Sequence, residues 1–84
     1  MLKLLRARPL PDSRLELTFS NHSVRHFDAA PYLAARSGPL LEPLRQPAYF
    51  ARCFIDAGAL CWPNGLELSA ARLAELSHPW AAAA

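Results

Sequence analysis

Arg14-Leu15-Glu16-Leu17-Thr18-Phe19 is the stretch whose reading decides the fold. Leu15, Leu17 and Phe19 alternate with Arg14, Glu16 and Thr18. A period of two, with one apolar and one polar face, marks an antiparallel strand half buried against a core. Upstream, Leu2 to Arg8 reads as a strand with Leu2, Leu4 and Arg6 on one face, and residues 9–13, Pro-Leu-Pro-Asp-Ser, turn the chain. Downstream, Ser20 to Ser23 is a tight turn in which Asn21 suits a positive φ, and Val24 to Phe27 is the next strand. Residues 2–28 therefore form a three-stranded antiparallel meander.

The eight prolines segment the rest of the 84 residues. Proline is excluded from helix interiors and central strands, so long elements must lie between prolines. Pro31 to Arg36 is a short helix that Asp28 can cap and Gly38 can end. Leu40 to Leu44 is a further helical turn. Tyr49 to Trp62 reads as a hairpin around Asp56-Ala57-Gly58. With a three-residue loop and Gly58 left-handed, Cys53 faces Cys61 and Ile55 faces Ala59. The other face then carries Phe50, Arg52, Phe54, Leu60 and Trp62, so both faces are largely apolar. Trp62-Pro63-Asn64-Gly65 is a turn, Leu66 and Leu68 a short extended piece, and Ser69 the N-cap of a helix over Ala70 to Leu76. The fold class is α+β: an antiparallel three-stranded meander, short helices, a second β-hairpin and a C-terminal helix. Residues 1–78 form one domain and 79–84 a C-terminal tail.

Composition narrows the function. The chain is too short for a Rossmann domain, a TIM barrel or a kinase. Its 52% apolar residues exclude a disordered tail, and no apolar run reaches the 18 or so residues of a membrane span. The net charge is +2, and eight of the nine basic residues are arginines spread evenly along the chain rather than gathered into a phosphate track. Two cysteines and a short apolar start lead us to expect a cytoplasmic, thiol-reduced protein.

Candidate chemistry is sparse. Cys53 and Cys61 on facing strands are close enough for a disulfide, but two buried thiols acting as small apolar residues is the favoured reading. Ser23, His26 and Asp28 supply the residue types of a triad, yet strand neighbours alternate faces and no nucleophile elbow is present. Gly38, Gly58 and Gly65 fall in three separate turns, which leaves no phosphate loop. No enzyme activity, cofactor or metal site is expected. The candidate contacts for a partner are aromatic, Arg and Asn side chains: Trp62, Asn64, Trp80, Arg52 and Tyr49. Trp62 is either an exposed anchor or the plug of a small core, and the plug is favoured. Trp80, beyond Pro79, is the better exposed contact.

Read in order, these features resemble a known family. A Leu-x-Leu-x-Phe strand (Leu15, Leu17, Phe19) leads to Phe27-Asp28, Tyr32-Leu33, Tyr49-Phe50, the hairpin, and Trp62-Pro63-Asn64-Gly65 followed by Leu66 and Leu68. This is similar to the small bacterial family catalogued as domain of unknown function 2442, over residues 2–76. The resemblance implies an α+β fold, no characterised enzyme activity, and stand-alone modules often encoded beside a second small protein, as in toxin–antitoxin-like pairs. It also implies a positive φ at His22, where the family favours glycine. The expected function is a protein-interaction module whose partner is the neighbour-encoded small protein or a second copy of the chain. Binding of nucleic acid, in a regulatory accessory role, ranks second, and no membrane partner is expected.

Overall fold

The computed structural model describes residues 1–80. Two antiparallel sheets and three short helices enclose one core. The first sheet has strand order β1-β2-β3-β7, from β1 (Leu4–Leu10), β2 (Arg14–Phe19), β3 (Val24–Asp28) and β7 (His78–Pro79). The second has order β4-β5-β6, from β4 (Phe54–Asp56), β5 (Ala59–Cys61) and β6 (Glu67–Leu68). The helices are α1 (Ala29–Ala34), α2 (Pro47–Phe50) and α3 (Ala70–Leu76), and a 3-10 turn spans Glu42–Arg45.

The meander forms as its alternation dictates. Leu15, Leu17 and Phe19 are fully buried, and Leu15 pairs with Phe27 across β3. A slip of one residue would carry all three to solvent, so the apolar face itself fixes the register. β1 runs on through Pro9, which an edge strand tolerates because its missing N–H faces outward. In the next turn the positive φ falls on His22, at 71°, and not on Asn21. Asn21 acts through its side chain instead: Oδ1 accepts from the Ser23 N–H at 3.0 Å and from the Ser23 hydroxyl at 2.6 Å.

Three expectations need correction. First, Tyr49 and Phe50 lie in α2 rather than in a strand, because Pro47 at the first helical position starts a helical turn there. Second, the hairpin loop has two residues, Ala57 (φ 52°) and Gly58 (φ 80°). Positive φ at both central positions gives the backbone twist that a two-residue hairpin needs. Phe54 therefore pairs with Cys61 and Ile55 with Leu60, so Cys53 does not face Cys61. Only one hairpin face, with Ile55, Leu60 and Leu68, meets the core; the other carries Phe54, Asp56, Cys61 and Glu67. Third, the chain does not leave the body at residue 79. His78 and Pro79 pair with His26 and Arg25, and the Trp80 N–H donates to the Val24 carbonyl at 3.0 Å. Residues 81–84 of the expected tail lie outside the described residues.

Both N-caps match expectation, but α1 ends on Ala35, whose N–H donates to the Pro31 carbonyl, and not at Gly38. Asp28 Oδ1 accepts from the Ala30 N–H, and Ser69 Oγ accepts from the Arg72 N–H. Leu33 and Leu73 then reach the shared core, which also holds Leu4, Leu44, Phe50, Leu60 and Trp62.

Candidate functional site

The five residues picked from the sequence fall in different settings. Trp62 is the core plug: it is 1% exposed, its Nε1 donates to the Phe50 carbonyl at 3.0 Å, and its ring lies 5.9 Å from that of Phe50. It offers no surface to a partner. Asn64 ties two loops together. Its Nδ2 donates to the Leu40 carbonyl at 2.9 Å, and its Oδ1 accepts from the Leu66 N–H at 3.1 Å. With Gly65 at φ 95°, the Trp62-Pro63-Asn64-Gly65 segment is a structural lock. Tyr49 and Arg52 do come together, the guanidinium lying 5.4 Å from the ring centroid, and Arg52 is exposed. Trp80 is half-buried on the far edge of the first sheet, where its ring meets His26 edge-on at 6.0 Å.

Five of the eight arginines are hydrogen-bonded within the chain. Arg25 turns toward the core side, where Nε donates to Ser77 Oγ at 2.7 Å and Nη2 to the Ser77 carbonyl at 2.6 Å. Arg45 is bound to Glu42 and to the carbonyls of Leu33 and Arg36, Arg14 to the Pro11 carbonyl, and Arg72 to Glu75. Arg8 and Glu16 form a two-point pair at 3.1 Å on each arm, and this hydrogen-bonded guanidinium holds the Glu16 carboxyl below its ordinary range.

The two outer edges of the first sheet are the distinctive surfaces. On β1, the hairpin tip closes the edge at one point, where the Leu4 N–H donates to the Gly58 carbonyl at 2.8 Å. Lys3 packs so closely over Gly58 that a Cβ there would lie 2.9 Å from its side chain. From Leu5 to Arg8 the outer edge has no further backbone partner among the described residues, and Pro9 ends that window. Leu5 is 58% exposed, and Phe54, on the neighbouring β4, is 48% exposed.

The opposite edge is built differently. The short β7 covers part of β3, and beside it opens a cleft of about 380 Å³ lined by His26, Asp28, Pro31, Tyr32, Arg36, Phe27, Leu76 and His78. His26 Nε2 is shut off from solvent with no hydrogen-bond partner. Sequence reading missed this cleft because its walls come from three separated segments. The only local signal was His26 two residues before Asp28, a spacing that puts both on one strand face.

The thiols and the triad-type residues have the following surroundings. Desolvation pushes both thiols up from their ordinary range; for Cys61 the neighbouring Glu67 carboxylate adds to the effect. Ser23 is engaged with Asn21 and Asp28 with the start of α1. Among the described residues no group of three or more His, Cys, Asp or Glu side chains is placed to hold a metal ion. No described helix is long and apolar enough to cross a membrane.

Residues 4–79 match the model of a family described as "Protein of unknown function (DUF2442)". The chain belongs to the DUF2442 family. The match spans both sheets and all three helices, so the Trp62 lock and both edges of the first sheet lie within the family domain. No curated protein and no solved structure matches this DUF2442 chain.

Proposed function

We propose that this protein is a polypeptide-binding module that takes an extended segment of a partner protein along the outer edge of β1. The observation that carries the reading is the open window from Leu5 to Arg8, flanked by the exposed side chains of Leu5 and Phe54. A strand edge with unpaired backbone groups is a template for an added strand, and apolar side chains beside it supply the burial that makes docking stable. Lys3 and Arg6 lie exposed beside this window, so a segment carrying acidic residues is the matching partner. In this reading the partner is the second small protein encoded beside it, as in the two-component pairs that the family resemblance implies.

The test is co-expression with the product of the neighbouring gene, followed by affinity capture. The reading expects the two proteins to co-purify and the Leu5→Asp variant to lose the partner while staying folded. Capture of the protein alone contradicts it. Sedimentation as a particle of twice the 9.3 kDa chain mass, with no partner bound, replaces it with self-association through the same edge.

A further inference from the structure

We propose that the cleft between α1 and the β3–β7 edge binds a small organic carboxylate. This goes beyond polypeptide docking and concerns the opposite edge of the sheet. At about 380 Å³ the cleft is in the size range of small-ligand sites, and its walls have the usual mix of apolar surface and a few converging polar groups. Pro31, Leu76 and the Tyr32 ring supply the apolar surface.

Arg36 supplies the charge. Its guanidinium carbon lies 4.2 Å from the Tyr32 ring centroid, and among the described residues no carboxylate stands within ion-pair distance of it. A guanidinium resting over a ring with no carboxylate partner has N–H groups available, and their fork fits a carboxylate. His26 adds its ring to the cleft wall. The one acidic side chain in the wall, Asp28, has Oδ1 engaged with the Ala30 N–H, and its cross-strand neighbour is Arg14. One full cation beside one carboxylate suits a singly charged ligand better than a polyanion such as a diphosphate.

Benzoate carries the proposed chemistry, a carboxylate on a flat apolar body, and benzamide is its neutral counterpart. Both are titrated into the full chain while backbone and histidine-ring NMR signals are followed. Binding in the millimolar range is what so small a probe can reach. The proposal expects saturable shifts at His26, Tyr32 and Leu76, with benzamide about tenfold weaker and Arg36→Gln about tenfold weaker for benzoate, the gain of a charge-assisted hydrogen bond. Arg36 is exposed, so circular dichroism should be unchanged in that variant. Absence of saturable shifts, shifts confined to β1, equal binding of benzamide, or unchanged affinity in a folded Arg36→Gln protein would each overturn it.

Discussion

The two outer edges of the first sheet solve the same problem in opposite ways. An unpaired edge invites other strands, and proteins blunt it or cover it. The β3 edge is covered: two residues of β7 and the Trp80 N–H pair with it, and Arg25 anchors the incoming chain through two bonds to Ser77. The β1 edge is left open for four residues between the Gly58 contact and Pro9, guarded by arginines and bearing Leu5. The contrast sets an edge paired within the chain against one with no further backbone partner among the described residues.

The comparison can be broken from the inside out. Both edges rest on one core, so Trp62→Ala should bring both down together, costing about 3–5 kcal/mol in chemical denaturation with the slope unchanged. Exchange protection surviving at either edge would show that the edges do not share a core. Arg25→Gln should separate them. It removes a part-buried charged anchor, costs about 1.5–3 kcal/mol, and should speed amide exchange at Trp80 while β1 keeps its protection. Equal loosening of β1 would contradict the assignment of Arg25 to one edge. Gly58→Ala should act on the other side. Its φ of 80° and the 2.9 Å approach to Lys3 predict a loss of about 1–2 kcal/mol, with chemical-shift changes centred on Lys3 and Leu4 rather than on β7.

The smallest effect concerns the polar face between the edges. Arg8→Gln removes the guanidinium that holds Glu16 ionised, so the Glu16 titration followed by NMR should move up toward the ordinary carboxylate range. The sign follows from linkage: a carboxyl lowered in the folded state contributes stability above its unfolded pKa and loses it as pH falls through the folded value. Arg8 is exposed and Glu16 half-buried at the surface, so the thermal midpoint at neutral pH should move little. A large fall there would show the pair to be structural.

How far the sequence could be read follows from the same physics. Leu15, Leu17 and Phe19 have an unambiguous apolar face, so β2 was legible in residues 14–19 alone, whereas the bulge between Leu4 and Arg6, which turns Arg6 to solvent, leaves no mark in the β1 pattern. The hairpin was not, because Cys53, Phe54, Ile55, Leu60 and Cys61 are apolar on both faces and a one-residue change of loop length leaves the pattern equally apolar. Only the positive φ of Ala57, a residue with no special liking for it, selects the two-residue loop. α2 was misread because Tyr49 and Phe50 favour strands and the signal of Pro47 at a helix start is weaker than two aromatics. β7 is two residues long and exists through pairing with a strand some fifty residues earlier, which no local pattern records. Of the candidate contacts, Trp62 and Asn64 proved to lock turns from within, and the cleft could not be foreseen because it forms only when residues 26–28, 31–36 and 76–78 meet.

The central claim is that the open β1 edge is the docking edge. Amide hydrogen exchange of the complex co-purified with the neighbour-encoded protein, compared with the free chain, tests it most directly. The account predicts slowed exchange within residues 5–8 and no change along Val24–Asp28. Protection that falls on the β3–β7 edge, with residues 5–8 exchanging as fast as in the free chain, would contradict it.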